Sequence, residues 1–441
     1  MGKTGRPPAP HDINYLSFQG GGGLGFAYLG AVSALEDPKI GLLPIRPASG
    51  GPIRGISGAS AGAITATLLA LGCSSKDLKQ IFSQRERFLA FYDGPDVGLC
   101  RAIDAQHLEG TRLSLLQKTD MGTTTVELAK YVSEVIGGWR DLQDEAVKIA
   151  IANARNSGEL NVALILAMLV GASRTSIEKK IDDIKKDYPF TQKVFKKPKE
   201  YLLNLTNDRG IFPGFAIRDF LRETIRQRVL KIGVPARLVK GDAANIDFRT
   251  FLALTGVDLR ISGTNISQRR TQIFSAASTP DFLVAEAVGI SACYPLVFKP
   301  VYVKADPRDK TLGPLRGLWV DGGVLNNFPV HAFDVQKSRA DLPKLNTAVL
   351  GFMLQDGSPD MAEPFLDPER DETPLPNFAG GLLRTLLTPG NEGQLRTAQE
   401  ASQTVPLFTY DLSLFEFAPE ANVYSKPVQE ARNAVLRHFG M

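Results

Sequence analysis

The chain has 441 residues, of which 43% are hydrophobic and 22% charged, a balance typical of folded globular proteins. Its formal net charge of +4 is small for this length, so we expect no nucleic-acid partner. The three cysteines form no closely spaced pair, which predicts a fold independent of disulfides and of zinc. The longest apolar run falls short of the roughly 20 residues that cross a bilayer, so any contact with membranes is predicted to be peripheral.

The chain begins with a proline-rich, polar segment, residues 1–12, which predicts a disordered leader and lacks the apolar core of a standard signal peptide. Residues 15–18 then predict a strand. The loop after this strand, residues 20–25, is rich in glycine, and a helical pattern of apolar residues follows it. A strand, a glycine turn and a helix in succession favour an α/β fold with a largely parallel sheet.

The glycine-rich loop has two interpretations. Gly20, Gly22 and Gly25 fit the G-x-G-x-x-G pattern of dinucleotide-binding proteins, although no acidic residue ends the next strand to bind a ribose. Alternatively, consecutive glycines at the head of a helix present free backbone N–H groups, which can hold a developing oxyanion.

Residues 58–62, Gly-Ala-Ser-Ala-Gly, form a G-x-S-x-G pentapeptide between a predicted strand and a predicted helix. This geometry projects a serine oxygen from the backbone, which predicts that Ser60 is a nucleophile. The flanking glycines, Gly58 and Gly62, allow the chain to pass close to itself. The competing interpretation is a turn of small residues in which Ser60 merely caps the helix.

The remainder of the chain divides into three predicted parts. Residues 90–208 are mostly helical in pattern and carry a lysine-rich stretch, which predicts a helical insertion with either a solvated face or a contact to anionic membrane. The catalytic domain spans residues 13–360, and residues 361–441 are a C-terminal extension packing on the core. Beyond the insertion, strands are predicted at residues 250–254, 258–261, 272–274, 318–320 and 347–353.

A general base must activate the serine. His331 would preserve the Ser–Asp–His order of α/β-hydrolases, but residues 321–323, Asp-Gly-Gly, close a strand and present their own carboxylate. An ordinary Asp-Gly turn is the alternative interpretation. A carboxylate that is partly desolvated becomes basic enough to serve a serine directly, so Asp321 is the preferred base.

Three motifs in this order, the glycine loop, the serine pentapeptide and the Asp-Gly-Gly block, resemble the patatin-like phospholipase family. Similar blocks occur at residues 210–221, 279–295 and 321–329. The resemblance implies a three-layer α/β/α fold, with Ser60 as nucleophile, Asp321 as base and no metal or cofactor. It also implies an oxyanion hole formed by three glycines, Gly21, Gly22 and Gly23. Four further glycines support the two other motifs: Gly58, Gly62, Gly322 and Gly323.

The same resemblance implies a lipid acyl hydrolase, of phospholipase A or lysophospholipase type, that acts on its substrate at a membrane surface. The family usually has Arg or Lys where this chain has Leu24. That departure motivates the alternative of a weakly active or inactive module that binds a membrane or a protein partner. The expected location is cytoplasmic or peripheral to a membrane, with export as a signal-less effector as a further option; a protein activator is not identified.

Overall fold

The structure is a computed structural model. It describes residues 7–47, 51–108, 115–117, 193–194, 196–233, 241–335, 343–355, 357–358, 397–412, 414 and 416–441. The predicted apolar and lysine-rich helical patterns of the insertion lie almost wholly outside the described residues.

A central sheet organises the described chain. Its strands are β1 (Tyr15–Phe18), β2 (Gly55–Gly58), β3 (Leu99–Ile103), β4 (Leu115–Gln117), β6 (Asp258–Asn265), β7 (Arg270–Phe274), β9 (Val301–Val303), β10 (Gly317–Asp321), β11 (Val349–Gln355) and β12 (Thr404–Phe408). They follow the order β12-β11-β1-β2-β6-β10-β9-β3-β4, with β7 also paired to β6. The run from β12 to β6 is parallel. Two further strands, β5 (Gly210–Phe212) and β8 (Leu296–Phe298), form a separate parallel pair.

Helices cover this sheet and complete the predicted three-layer α/β/α fold. They are α1 (Tyr28–Leu35), α2 (Ala61–Ala70), α3 (Ser75–Phe82), α4 (Arg85–Leu89), α5 (Ala105–Leu108), α6 (Pro198–Asp208), α7 (Phe215–Ile232), α8 (Phe248–Thr255), α9 (Val284–Ser291), α10 (Gly323–Asn326), α11 (Ala398–Ser402) and α12 (Ala421–His438). Short 3-10 turns occur at Pro10–Asp12, Gly22–Ala27, Gly313–Leu315 and Val330–Phe333. The buried apolar faces of the helices pack with the strands in one main hydrophobic core.

The ends of β2 and β10 meet along β6. Strand β2 runs parallel to β6 and ends with Gly58 opposite Ile261. Strand β10 runs antiparallel to β6 and ends with Asp321 opposite Gly263. The two strands therefore approach the same short stretch of β6 from opposite directions, and the residues that follow them are brought together.

Two sequence-based expectations differ from the structure. Residues 250–254, predicted as a strand, lie in helix α8, because the Asp247 carboxylate accepts a hydrogen bond from the Thr250 N–H and caps the helix at its start. Leu99–Ile103 fall inside the segment predicted as a helical insertion from residue 90. They instead form β3, which pairs with β9 in the central sheet, so the sheet continues beyond that predicted boundary.

The C-terminal helix α12 packs against α1. A side chain on Gly30 would collide with the Val428 carbonyl, so glycine permits this close approach of the two helices. Arg432 donates hydrogen bonds to the Ser33 carbonyl and hydroxyl across the same contact. This helix thereby covers α1, which directly follows the glycine-rich loop.

A buried ion pair joins Lys299 to Asp208, and both side chains are fully buried. The Lys299 Nζ atom lies 2.9 Å from Asp208 Oδ2 and also donates to the carbonyls of Asp96 and Leu99. We expect Lys299→Met to lower the free energy of unfolding by about 3–5 kcal/mol, because it leaves a carboxylate buried without its counter-ion. Urea denaturation measures this loss.

The matched control is Arg308→Ala, which removes an exposed ion pair with Asp306. Exposed ion pairs contribute little to stability because water and salt screen them, so this variant should unfold at nearly the same urea concentration as the parent protein. Equal stabilities for the two variants would contradict a structural role for the buried pair.

Candidate active site

Ser60 occupies a strained turn between β2 and α2. Its backbone angles are φ 49° and ψ −123°, a conformation that L-residues rarely adopt. Such strain persists only where neighbouring structure enforces it, and it is common at functional sites. The Ser60 N–H donates to the Ser291 Oγ atom at the end of α9, at a distance of 2.9 Å. This hydrogen bond ties the turn to the end of α9.

The two glycines of the pentapeptide make the turn possible. A Cβ on Gly58 would overlap the Gly62 backbone, and a Cβ on Gly62 would overlap the carbonyl of Phe18 in β1. Both glycines are therefore required by close backbone contacts, as expected from the pentapeptide. Gly322 is constrained in the same way, since a Cβ there would overlap the Ser262 carbonyl in β6.

Asp321 ends β10 and is only 1% exposed. Its Oδ1 atom accepts a hydrogen bond of 2.7 Å from the Gly323 N–H, and its own N–H donates to the Cys293 carbonyl. The Oδ2 atom is buried and accepts no hydrogen bond within the described residues. One carboxylate oxygen is thus fixed in orientation, whereas the other retains its full acceptor capacity.

Burial raises the pKa of Asp321 from 3.8 to about 7, against opposing contributions from the Gly323 N–H and the Ser60 hydroxyl. The Ser60 side chain is therefore near enough to affect the carboxyl group. Its hydroxyl nevertheless makes no hydrogen bond of good geometry with Oδ2 in this conformation. Catalytic hydrogen bonds are often long or misaligned before substrate binds.

The glycine-rich loop begins a 3-10 turn at Gly22, which has φ 51°. Within the described residues, the N–H groups of Gly21 and Gly22 donate no hydrogen bond. The Gly23 N–H, by contrast, donates to the Leu414 carbonyl at 2.9 Å. Two of the three predicted oxyanion donors are thus unengaged, and the third is engaged by the C-terminal segment in this conformation.

Leu24 is buried in the main core, with 3% of its surface exposed. Its N–H donates to the Gly21 carbonyl and closes the turn. The side chain at this position therefore stabilises the loop from within the core.

An apolar pocket opens beside Ser60, with a volume of about 700 Å³ that includes its mouth. The loop glycines Gly22 and Gly23 also border it. Its walls continue along α2 through Ala61 and Ile64 to a cluster of aromatic rings. Those rings are Phe82, Phe88, Phe91 and Phe417.

His331, the minor candidate for the base, lies in a different cluster. Its Nδ1 atom is 2.9 Å from Asp334 Oδ2, and its Nε2 atom is 3.7 Å from Glu400 Oε1. It makes no contact with Ser60 or Asp321 among the described interactions, so the structure does not assemble a Ser–Asp–His triad here.

Sequence reasoning assigned no role to three residues that surround the site: Ser291, Asn327 and Leu414. Ser291 and Asn327 lie inside motif blocks that carried the family resemblance. Their position in those blocks is the feature of the sequence that could have identified them as site residues. Leu414 lies in the tail, and no sequence pattern marks it.

The chain matches the family described as patatin-like phospholipase over residues 16–334, which is most of its length and includes all three motifs. The chain belongs to the patatin-like phospholipase family.

Individual relatives match shorter stretches. The chain is 35% identical over 77 residues to the uncharacterized protein R571 of Acanthamoeba polyphaga mimivirus, covering 18% of this chain and 22% of that protein. It is 26% identical over 132 residues to the probable lipid hydrolase 463L of Invertebrate iridescent virus 6, covering 30% of this chain and 38% of that protein. The matches span less than half the length of these curated relatives.

Two solved structures are similar over almost the whole chain. VipD from Legionella pneumophila gives a TM-score of 0.41 at 17% identity, covering 97% of this chain and 67% of that one. The type III effector ExoU of Pseudomonas aeruginosa gives 0.37 at 15% identity, covering 98% and 53%.

None of the described helices is both long enough and apolar enough to cross a membrane. No group of three or more side chains suited to metal binding occurs in the same part of the chain.

Proposed function

We propose that this protein is a serine acyl hydrolase that cleaves fatty-acyl esters of phospholipids or lysophospholipids through a Ser60–Asp321 dyad. The observation that carries the proposal is the pairing of a strained serine turn with a buried aspartate of raised pKa. The two lie at strand ends that meet along β6, beside an apolar pocket. Family membership supports a lipid ester as substrate.

In the proposed mechanism, Asp321 Oδ2 takes the hydroxyl proton as Ser60 Oγ attacks the ester carbonyl carbon. The carbonyl oxygen becomes an oxyanion, which the N–H groups of Gly21 and Gly22 stabilise. When the tetrahedral intermediate collapses, the ester C–O bond breaks and Asp321 returns the proton to the departing alcohol. Water then attacks acyl-Ser60 with the same base, releasing a free fatty acid and restoring the hydroxyl.

The raised pKa suits this role. A general base works best when its pKa lies close to the operating pH, and burial brings Asp321 to about 7. The unpartnered Oδ2 atom leaves an acceptor for the Ser60 proton, while the Gly323 N–H orients the carboxyl group through Oδ1. The aspartate can therefore act without an intervening histidine.

The chemistry of the pocket supports an acyl chain as the group bound next to Ser60. Burial of each CH₂ group in an apolar site contributes about 0.8 kcal/mol, and the pocket walls are almost entirely apolar side chains. We propose that the enzyme meets its lipid at a membrane surface, since a two-chain phospholipid is presented by a bilayer.

The test of the proposed function uses mixed phospholipid vesicles and a fluorophosphonate probe. The intact protein should release fatty acid from the vesicles and become labelled on Ser60, as located by peptide mass spectrometry. Short-chain versions of these phospholipids, dispersed as monomers, should be cleaved more slowly than the vesicle lipids if the enzyme requires a surface. Labelling at another residue, or fatty-acid release without labelling, would count against the mechanism.

The pocket gives a prediction about chain length. Ile64→Trp fills the space one helical turn from Ser60, so we expect the ratio of kcat/KM for long-chain to short-chain esters to fall at least tenfold, about 1.4 kcal/mol. A series of nitrophenyl esters of increasing chain length measures the ratio. Leu252→Trp, on the exposed face of α8, is the matched control and should leave the ratio unchanged. An unchanged ratio in Ile64→Trp would place the acyl chain elsewhere.

A second candidate function is a weakly active module that binds a membrane or a protein partner. The contact between the Leu414 carbonyl and the Gly23 N–H favours it, because this contact occupies one of the three oxyanion donors. The fluorophosphonate experiment separates the two: vesicle binding without Ser60 labelling would support the binding module, whereas labelling supports the hydrolase.

A further inference from the structure

Asn327 joins the loop after β1 to the loop after β10. Its backbone carbonyl accepts a hydrogen bond of 2.9 Å from the Gly20 N–H. Its side-chain Nδ2 atom donates to the Gly20 carbonyl at 3.2 Å. Both polar groups of the Gly20 backbone are therefore bonded to one residue, which is only 4% exposed.

The Asn327 side chain also lies among the candidate catalytic groups. A Cβ on Gly20 would overlap Asn327 Oδ1 and would lie 3.0 Å from Ser60 Cβ. A Cβ on Gly323 would lie 2.7 Å from Asn327 Oδ1 and 3.1 Å from Asp321 Oδ1. Because Gly20 and Gly323 have no side chains, there is room for the Asn327 amide. This amide lies between the oxyanion loop, the nucleophile and the base.

We propose that Asn327 is a positioning residue, which holds the oxyanion loop at a fixed distance from Ser60 and Asp321. The proposal rests on the proposed function, because it concerns the same site. Asn327 moves no proton and contacts no reacting atom. It acts through Gly20, the residue that precedes the two unengaged amides. Displacements of about 1 Å in such an arrangement reduce rates by about 10²-fold.

The chain offers a matched control in the neighbouring residue. Asn326 is the same residue type, in the same helical turn, but its hydrogen bonds within the described chain involve only its backbone. Asn326→Ala and Asn326→Asp therefore reproduce the chemical change without touching Gly20. The isosteric Asn327→Asp complements Asn327→Ala, since it keeps the volume of the side chain.

The experiment measures three quantities for each full-length variant: the rate constant of fluorophosphonate labelling at Ser60, kcat and KM for a short-chain ester, and the unfolding midpoint in urea. We expect Asn327→Ala to lower the labelling rate and kcat together by about 10–100-fold. KM should change by no more than about twofold, since no contact with substrate is removed. Asn326→Ala should match the parent protein in all three.

The pH profile tests whether the Asn327 side chain lies beside the Asp321 carboxyl group, as the contacts around Gly323 indicate. Asn327→Asp adds a second carboxyl group beside Asp321, and two neighbouring carboxyl groups resist joint ionisation. The pH of half-maximal rate should therefore move upward in Asn327→Asp and stay in place in Asn326→Asp. An unmoved profile in Asn327→Asp would place its side chain away from Asp321 and contradict the geometry on which the proposal rests.

The proposal is overturned if Asn327→Ala keeps the labelling rate and the kcat of the parent protein. It is also overturned if the loss of rate is no larger than the loss of folded protein that the unfolding midpoint indicates. A parent protein that is labelled at Ser60 but cleaves no phospholipid would contradict only the lipid substrate, and the labelling rates would still decide the role of Asn327. Failure to label the parent protein would overturn both proposals.

Discussion

Ser60→Ala is expected to reduce fatty-acid release from phospholipid vesicles by at least about 10⁴-fold, the scale of loss when a nucleophile is removed from a serine hydrolase. Alanine cannot form the acyl-enzyme, although the loop amides and the pocket remain. Release is measured by mass spectrometry of free fatty acids, at equal concentrations of folded protein. The variant should also resist fluorophosphonate labelling entirely.

The matched control is Ser83→Ala, which removes a hydroxyl at the exposed end of α3. Among the described residues, its Oγ atom bonds only to the Gln80 carbonyl. This variant should retain parent activity. Equal release by Ser60→Ala and the parent protein would remove Ser60 from the mechanism.

Asp321→Asn should lower kcat to a similar extent. Asparagine preserves the shape of the side chain and can still accept the Gly323 N–H through Oδ1, but it cannot take the Ser60 proton. In the parent protein the base must be ionised, so kcat/KM should rise with pH and level off above about 7, the pKa that burial gives Asp321. Initial rates on a short-chain ester from pH 5 to pH 9 measure this profile.

The same substitution should stabilise the fold above neutral pH. Because the pKa of Asp321 is raised from 3.8 to about 7 in the folded protein, folding is favoured by protonation, and this contribution is lost as pH rises through that range. Each pKa unit corresponds to about 1.4 kcal/mol, so Asp321→Asn should gain on the order of 4 kcal/mol at pH 8 and almost nothing near pH 3. Urea denaturation at both values measures the difference.

His331→Ala serves as the control for the identity of the base. His331 contacts Asp334 and Glu400 and lies apart from the dyad, so its removal should leave kcat within about threefold, unlike the loss of a catalytic base. If His331→Ala were inactive while Asp321→Asn kept its activity, the dyad mechanism would be wrong.

Local chemistry explains why much of the candidate site is visible in the sequence. A serine held at positive φ between a strand and a helix requires glycines where the backbone contacts itself, and Gly58 and Gly62 mark that requirement directly. The Asp-Gly-Gly block is local in the same sense, since Gly322 meets β6 and the Gly323 N–H orients Asp321. The family match over residues 16–334 confirms the resemblance that these motifs carried.

Helix α8 shows where local patterns fail. Its apolar residues at positions 250–254 favoured a strand, but the Asp247 cap and the left-handed Gly256 set the ends of a helix instead. A short apolar run cannot by itself distinguish a buried strand from the buried face of a helix.

The sequence by itself determined the α/β class, the nucleophile candidate and the aspartate candidate, because each depends on residues close together in the chain. Only the tertiary structure decided that β2 and β10 end together along β6, and that Asn327 bonds to Gly20 across 307 positions of sequence. It alone brought the Leu414 carbonyl to the Gly23 N–H. Such contacts depend on how the whole sheet and its loops pack, and no local pattern of residue types records them.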